Sequence, residues 1–389
     1  MKPQDQILNS KSGHSINGTV KAITIASDYG GCGHYRMFWP NQVMSAKHPV
    51  KRDGTPAYHI DSCTSINFDH MVFYNFVSTV RLQRSASKEH LMFLKDFLMP
   101  MSSSRGFKVS VDYDDWFFAL PSFNVARAAY PPEVLKMTVQ IMRNVHFITV
   151  STTYMKHLMV KHLKIKPERI AVVPNRIPRF LFDGYYEDNF KKQMMKQPKK
   201  KPVILWTGSS SHLNLKEPGG TDDLTVIRPL IDSNKYEWVF VGLNKDVVTG
   251  KHNFPRNATY VPWADILTYP SVLANLNVDV SLVPLYDCDF NKAKSNIKLL
   301  EYGAMAIPAV FQKIEPYKFA PSQATTTDEY SYEIDKIISD KKYKESVIVK
   351  QKNILDKHFW LEDYESLSQY KRLYAGNIQS IVGESEKIV

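Results

Sequence analysis

The chain has 389 residues, of which 43% are hydrophobic and 23% charged; this suits about two globular domains and excludes a disordered, collagen-like or coiled-coil chain. Its net charge of +11 attracts polyanions such as nucleic acid, an anionic membrane or a nucleotide, although a basic surface can also serve solubility alone. Charged residues interrupt every apolar stretch and the first residues lack the apolar core of a signal peptide, so we expect neither stable membrane insertion nor secretion.

The first part of the chain alternates predicted strands and helices, a pattern typical of βαβ units and a parallel sheet. An apolar run at residues 20–27 predicts a buried strand, a glycine-bearing loop follows at residues 28–34, and a helix begins near Tyr35. Further strands are predicted at residues 71–76, 107–111, 146–150 and 170–173. Helices are predicted at residues 87–98, 132–143 and 152–163, the last of them capped by Ser151.

The alternation stops at residues 183–202, which are polar and rich in lysine and therefore predict a basic linker. This linker separates an N-terminal domain, residues 1–182, from a C-terminal domain, residues 203–358. The last segment, residues 359–389, contains an amphipathic helix that can pack on a neighbouring surface. In the second domain, strands are predicted at residues 203–207, 238–241, 259–262, 278–284 and 308–311, and helices at residues 222–231, 264–276 and 295–305.

Two loops that follow predicted strands carry small residues suited to an anion. Gly31 and Gly33 lie between a strand and a helix, where glycine permits close backbone approach and a helix N-terminus offers N–H groups. A tight turn without a ligand is the alternative, and the spacing is not the GxGxxG of a nicotinamide dehydrogenase. Gly208 and Ser209 supply backbone N–H and hydroxyl donors to a phosphate, unless they belong to an ordinary serine-rich loop.

Residues 291–310 form the most specific pattern of the chain. Ser295 is expected to cap a helix whose N-terminus faces an anion, with Lys294 beside it as a positive charge. Glu301 lies two turns further on, where its carboxylate can accept hydrogen bonds from both hydroxyls of a ribose. The pattern therefore predicts a helix that binds a nucleotide.

The sequence KSNIKLLEY at residues 294–302, followed by residues 307–310, resembles the donor-sugar motif of retaining, glycogen-synthase-like GT-B glycosyltransferases. A V-x-P-N turn at residues 172–175 and the strand and loop at residues 206–209 resemble further landmarks of that family. The resemblance implies an α/β protein with the GT-B fold, in which two Rossmann-like domains face each other across a cleft and a C-terminal helix crosses back to the first domain. The implied donor-binding residues are Gly31, Gly33, Gly208, Ser209, Lys294, Ser295, Asn296, Lys298 and Glu301.

The resemblance implies a nucleotide-sugar co-substrate, a UDP-sugar above all, with retention of the anomeric configuration and no prosthetic group.

Two departures from the family affect the site. Ala293 stands where many members have a second Glu, and residues 209–212 replace the Arg and Lys that commonly hold the donor diphosphate. The diphosphate would then rest on Lys294, Ser295 and backbone N–H groups. A non-catalytic protein that binds a nucleotide sugar or DNA is therefore an alternative.

Asp112, Asp114 and Asp115 follow the predicted strand at residues 107–111, at the end of a strand where ligands bind in open α/β sheets. One of them could orient an acceptor hydroxyl or act as a base, so all three are candidate catalytic residues. Solvated loop acids are the alternative. The Asp-x-Asp spacing binds a metal diphosphate in the other glycosyltransferase fold, but the GT-B class acts without a metal, and none is expected here.

A loop at residues 30–36 resembles the G-x-G-x-Y-R loop of glycosyltransferase-like proteins encoded by large bacteriophages. Together with the net charge, it favours phage DNA with a hydroxymethylated pyrimidine as the acceptor, its base flipped out of the duplex. A lipid-linked or cell-surface glycan is the alternative acceptor.

Three widely spaced cysteines favour a reducing compartment and hence the cytoplasm, which is that of the host if the protein is phage-encoded. The predicted acceptor-binding residues are His34, Tyr35, Arg36, Lys191, Lys192, Lys199, Lys200 and Lys201.

Overall fold

The computed structural model describes residues 20–47, 58–64, 77–217, 219–251 and 254–382, which form two compact units. The first unit contains the described residues up to Phe118, residues 130–176 and the chain from Trp360 onwards. The second unit contains residues 119–129 and 177–359. The strand predicted at residues 71–76 lies outside the described residues.

A parallel sheet of six described strands forms the centre of the first unit, with the order β2-β1-β3-β4-β5-β6. Val80, Val109 and Ile148 are completely buried, as expected for a parallel sheet that is covered on both faces. The strand order reverses between β1 and β3, so ligands are expected at the carboxyl ends of these strands. The strands are β1 Val20–Ile25, β2 Tyr58–Cys63, β3 Thr79–Gln83, β4 Lys108–Tyr113, β5 Phe147–Val150 and β6 Ile170–Val172.

The helices of the first unit begin and end at residues suited to those positions. Thr152, rather than the predicted Ser151, caps a helix by accepting a hydrogen bond from the Met155 N–H at 3.2 Å, whereas the Ser151 hydroxyl donates to the Asp114 carbonyl. Gly106 ends another helix in the left-handed conformation. The helices are α1 Gly31–Gly33 with the π-turn His34–Phe38 and Trp39–Lys47, α2 Lys88–Met92 with the π-turn Phe93–Leu98 and Met99–Arg105, α3 Pro132–Asn144 and α4 Thr153–Leu163.

A second parallel sheet of six described strands forms the centre of the second unit, with the order β12-β11-β10-β7-β8-β9. This is the Rossmann order, in which the sequence direction reverses between β7 and β10. The carboxyl ends of these two strands are therefore the expected ligand position. The strands are β7 Val203–Thr207, β8 Glu237–Val241, β9 Thr259–Val261, β10 Val280–Val283, β11 Ala309–Gln312 and β12 Gln323–Ala324.

The segment predicted as a basic linker contains a helix, Tyr186–Met195. The buried Asn189 side chain donates to the Met305 carbonyl at 3.0 Å, and the Gln193 side chain donates to the Val278 carbonyl at 2.9 Å. The inner face of this helix thus buries side-chain amides that hydrogen-bond to backbone carbonyls of the same unit, and a search for apolar periodicity could not reveal such a face. The helices of the second unit are α5 Arg179–Phe182, α6 Tyr186–Met195, α7 Arg228–Asp232, α8 Lys245–Lys251, α9 Tyr269–Asn275, α10 Asp289–Lys292, α11 Ile297–Ala304, α12 Thr327–Ser339 and α13 Lys341–His358.

The C-terminal helix α14, Tyr364–Tyr374, packs in the first unit, which confirms the expected return of the chain to that unit. The Gln369 side chain accepts a hydrogen bond from Arg176 at 2.8 Å and donates one to the Val172 carbonyl at 3.1 Å. The Tyr374 carbonyl accepts a hydrogen bond from the Thr79 hydroxyl at 2.9 Å. In the described part of the chain, no helix combines the length and apolar character needed to cross a bilayer.

The carboxyl ends of β7 and β8 approach each other closely at two glycines. The Gly208 N–H donates to the Val241 carbonyl at 3.0 Å, and a Cβ atom on Gly242 would lie 2.5 Å from the Gly208 oxygen. Gly242 also has a φ of +92°, a conformation that disfavours other residues. This packing brings the backbone of the predicted phosphate loop against the neighbouring strand.

We expect Gly242→Ala to destabilise the protein more than Gly184→Ala, which serves as its matched control. Gly184 has a similar φ of +98° but nothing within 4 Å of an added Cβ atom, so its substitution costs backbone strain alone, about 1–2 kcal/mol. At Gly242 the clash with the Gly208 carbonyl adds to that strain. Thermal unfolding of both variants measures the difference, and equal melting temperatures would contradict the close packing.

Candidate functional site

At the carboxyl edge of the first sheet, the side chain of Asp28 closes the glycine loop that follows β1. Asp28 accepts hydrogen bonds from the Gly30 N–H at 2.8 Å and the Gly33 N–H at 3.2 Å. A Cβ atom on Gly33 would lie 1.9 Å from the Asp28 carbonyl oxygen, so the turn itself requires this glycine. The expected donor role of Gly33 therefore needs correction, because its N–H is already engaged and Asp28 repels an anion, whereas the donor role of Gly31 stays a prediction.

The predicted acceptor residues of this loop differ in accessibility. His34 is partly exposed, and its Nδ1 lies 2.9 Å from the Gly30 carbonyl oxygen. Tyr35 and Arg36 are only 7% and 1% exposed. The expectation that Tyr35 and Arg36 contact an acceptor is corrected by their burial in the first unit.

Arg36 instead forms a bidentate ion pair with Asp112, with Nη2 at 2.6 Å from Oδ1 and Nε at 2.9 Å from Oδ2. Arg81 and the Thr149 hydroxyl donate to the same carboxylate. Burial raises the pKa of Asp112, but the Arg36 charge and these hydrogen bonds hold that pKa below its ordinary value. Asp112 was a candidate base, but it is completely buried and fully paired, so it is a structural anion rather than a group that reaches a substrate.

Asp114 and Asp115, which we call the acid pair, both bind Arg84 at the carboxyl edge of the first sheet. Arg84 Nε lies 2.6 Å from Asp114 Oδ1, and its Nη2 lies 3.0 Å from Asp114 Oδ2 and 2.7 Å from Asp115 Oδ2. The side chains of Asp114 and Asp115 are 8% and 25% exposed, so Asp115 is the more accessible acid. Sequence reasoning missed Arg84, because it predicted no strand at Thr79–Gln83 that would place Arg84 at a strand end.

At the carboxyl edge of the second sheet, the buried Asp223 carboxylate joins the loops that follow β7 and β10. Its Oδ2 lies 2.6 Å from His212 Nδ1, and its Oδ1 accepts hydrogen bonds from the Tyr286 N–H at 2.8 Å and the Asn291 side chain at 2.6 Å. Near this point Ser209 Oγ lies 2.7 Å from Ser211 Oγ. Sequence reasoning also missed Asp223, because it belongs to no motif and falls at the start of a helix predicted at residues 222–231, whereas the α-helix begins only at Arg228.

Residues 119–129 also contact the loop after β10, an interaction that the sequence did not predict. They follow the acid pair in the chain but belong to the second unit. The Phe123 ring is 3% exposed and packs edge-on against Tyr286, with ring centroids 6.0 Å apart. Tyr286 is thus fixed through its ring by Phe123 and through its N–H by Asp223.

Helix α11 begins at Ile297 with Asn296 as its N-cap residue, one position after the predicted cap Ser295. Its side chains Lys298 and Glu301 form an ion pair at 3.2 Å, and both bond to the hydroxyl of Tyr269. Burial lowers the pKa of Lys298, but the Glu301 carboxylate and the tyrosines Tyr269 and Tyr302 together raise that pKa above its ordinary value, so Lys298 is positively charged.

These contacts change which groups of α11 a ligand can reach. Glu301 is 3% exposed, so a contact with a ribose requires Lys298 or Tyr269 to move away from its carboxylate. Partly exposed residues remain at the start of the helix, and the Lys294 ammonium lies 4.7 Å from the centroid of the Phe290 ring. These accessible residues are Lys294, Ser295, Asn296 and Lys298.

The predicted acceptor lysines lie elsewhere in the second unit. Lys199 pairs with Asp279 at 3.4 Å, and Lys201 donates to the Asn234 side chain at 2.6 Å. Asp279 directly precedes β10, so these contacts mark the amino edge of the sheet, about 17 Å of strand away from Gly208. Lys191 and Lys192 are exposed on α6 and Lys200 is exposed next to Lys199. Lys199, Lys200 and Lys201 therefore lie at the opposite edge of the sheet from Gly208, and their role in binding an acceptor stays a prediction.

Chemically, the carboxyl edge of the second sheet suits a negatively charged ligand, because it combines a glycine turn, hydroxyls, lysine ammonium groups and the start of a helix. The carboxyl edge of the first sheet offers a partly accessible carboxylate held by an arginine. Over the described residues, no three His, Cys, Asp or Glu side chains are grouped as metal ligands.

The sequence matches no protein-family model and no curated protein. Among solved structures, a glycosyltransferase from Rickettsia africae is similar with a TM-score of 0.58 at 12% identity, over 93% of this chain and 99% of that chain. Anabaena HepE in complex with UDP and glucose has a TM-score of 0.58 at 10% identity, over 92% and 99% of the chains. An alpha-glucosyltransferase in complex with UDP-glucose and DNA containing an abasic site has a TM-score of 0.59 at 10% identity, over 92% and 100%.

These similarities, together with two doubly wound parallel sheets and a returning C-terminal helix, establish the class of fold. The predicted α/β architecture of two Rossmann-like units is confirmed, and the chain has the GT-B fold.

We expect Asp112→Asn to destabilise the first unit by about 3–5 kcal/mol, because it leaves Arg36 and Arg81 buried without their counter-charge. Hydrogen exchange of peptides from β4 and β5 measures the loss, with β7 of the second unit as an internal reference. The exposed Glu168→Gln is the control.

The cost of Asp112→Asn should also depend on pH. Because the folded-state pKa of Asp112 is depressed, its stabilisation is present above about pH 4 and is lost as the pH falls through the lower folded-state value. The wild type and the variant should therefore converge in acid. Unchanged exchange at neutral pH would show that the ion pair is unimportant.

Proposed function

We propose that the protein is a glycosyltransferase that moves a sugar from a nucleotide sugar, a UDP-sugar, to an acceptor hydroxyl with retention of the anomeric configuration. The observation that carries this proposal is the carboxyl edge of the second sheet. There, the reversal of strand order between β7 and β10 lies beside Gly208, Ser209 and the start of α11. The UDP and UDP-glucose complexes among the proteins of similar fold support the same donor class.

In this proposal the donor diphosphate lies at the start of α11. The Asn296 side chain makes no capping hydrogen bond, so the positive end of the helix is available to an anion. Lys294 and Lys298 add positive charge, and Glu301 holds Lys298 in place through its ion pair. Asp223 keeps the loops after β7 and β10 together around the same ligand. Lys294, Lys298 and the start of α11 thus take the place of the Arg and Lys that commonly hold the donor diphosphate in the glycosyltransferases that the sequence resembles.

For the acceptor, we propose a hydroxymethylated pyrimidine in DNA, bound so that the acid pair meets its hydroxyl. The net charge of +11 favours a polyanion, and one protein of similar fold is an alpha-glucosyltransferase in complex with DNA. Asp115 is the accessible acid that can accept a hydrogen bond from the acceptor hydroxyl. The extrahelical base supplies that hydroxyl outside the stack.

We expect Lys294→Ala to weaken UDP binding about 10- to 150-fold, which corresponds to about 1.5–3 kcal/mol, the usual range for a charge-assisted hydrogen bond. Uridine without phosphates should bind both proteins equally, because Lys294 is proposed to contact the diphosphate. Lys292→Ala, two residues away and paired with Asp287 on the surface, is the matched control. Calorimetry that finds equal UDP affinity in all three proteins would remove Lys294 from the donor site.

The acceptor is tested by mass spectrometry of nucleosides after incubation with a panel of UDP-sugars and either plain or hydroxymethylated DNA. We expect a hexose only on the hydroxymethylated nucleoside, with an α linkage by NMR. Transfer to a saccharide primer but not to DNA would assign a glycan acceptor instead. UDP-sugar binding with neither transfer nor hydrolysis would identify a non-catalytic binding protein.

A further inference from the structure

Arg84 has an unusual backbone at the carboxyl edge of the first sheet. It directly follows β3 and has a φ of +48°, a left-handed conformation that is uncommon outside glycine and costs free energy. Its N–H donates to the Asp112 carbonyl at 2.8 Å, so the buried strand β4 holds the strained turn in place. Such strain persists where the surrounding structure imposes it, often at functional sites.

The strained turn directs the Arg84 side chain onto the acid pair. The guanidinium makes two hydrogen bonds to Asp114 and one to Asp115, and it lies 5.3 Å from the centroid of the Phe117 ring. Two adjacent carboxylates repel each other, and a planar guanidinium can hold both at once in fixed orientations. A lysine, with a single ammonium group, cannot reproduce this fork.

We propose that Arg84 is a positioning residue for sugar transfer, which holds the Asp115 carboxylate in the orientation that accepts a hydrogen bond from the acceptor hydroxyl. This inference rests on the proposed function and adds to it a residue that no motif indicates. Arg84 acts through Asp115 and does not itself contact the acceptor. Asp114 forms the other half of the support, because its carboxylate fixes the plane of the guanidinium.

The charges around the acid pair give the inference a pH signature. Burial raises the pKa of Asp114, the Arg84 charge is the largest opposing influence, and the Asp115 charge raises this pKa further. Removing Arg84 therefore raises the pKa of Asp114 further, so Asp114 keeps its proton to a higher pH than in the wild type. The other titratable groups around the pair are Asp112, Cys32 and Tyr130.

The test compares Arg84→Met, Arg84→Lys and Arg84→Gly with the control Arg143→Met, an exposed arginine at the end of α3. We expect Arg84→Met to lower kcat for transfer about 100-fold, as a misplaced reacting group does, while UDP affinity stays unchanged. The acid limb of its pH–rate profile should move to higher pH. Arg84→Lys should retain an intermediate rate, and Arg143→Met should match the wild type.

Arg84→Gly removes the side chain and also relieves the left-handed strain, because glycine accepts a φ of +48°. Methylguanidine added to this variant should restore part of the rate by occupying the place of the guanidinium between the two carboxylates. Full activity of Arg84→Met and Arg84→Gly would overturn the inference and leave the proposed function intact.

Two further outcomes separate the possible failures. A rate loss without a shifted pH profile and without rescue by methylguanidine would make Arg84 a structural residue only and overturn the inference. A wild-type protein that binds UDP but transfers no sugar to any acceptor would reject the proposed function, and the inference with it.

Discussion

The buried ion pair between Arg36 and Asp112 connects the elements on which the first unit depends. Arg36 comes from the first helix and Asp112 from the central strand β4, while Arg81 and Thr149 come from the strands on either side, so one carboxylate fixes four elements. The Arg36 guanidinium also donates to the Val173 carbonyl and to the Asn175 side chain, where the first unit is about to pass into the second. A buried charge requires such partners, and here they fix the end of β4 against the first helix and the chain at residues 173–175.

In the second unit, Asp223 is likewise a buried carboxylate that is stabilised by several hydrogen bonds. Here too a buried carboxylate lies at the carboxyl edge of a parallel sheet and accepts several hydrogen bonds from loops that are far apart in sequence. The difference lies in what is left accessible. Around Asp112 the next acids, Asp114 and Asp115, approach the surface, whereas around Asp223 serines, lysines and a helix start do. One edge is thus suited to binding a hydroxyl and the other to binding an anion.

Several features of the site were beyond sequence reasoning for definite physical reasons. Helix Tyr186–Met195 was predicted as a linker because its inner face buries Asn189 and Gln193, whose amides bond to backbone carbonyls and give no apolar period. Arg84 was missed because a strand of five residues, Thr79–Gln83, lies close to another apolar stretch that periodicity favoured. Glu301 was placed on the correct helix, but its partner Tyr269 comes from a different element that no local pattern can connect to it.

By itself the sequence determined the alternation of strands and helices, the two α/β units and the helix that begins near Lys294, because hydrophobic period, glycine and helix-start chemistry are local properties. Only the tertiary structure decided which charged groups are buried and which are accessible. Asp112 and Asp115 are three residues apart and chemically identical, yet one is completely buried and the other partly exposed. The lysines at residues 199–201 lie at the amino edge of their sheet for the same reason: position relative to a strand end is set by packing across the sheet, and not by the composition of the segment.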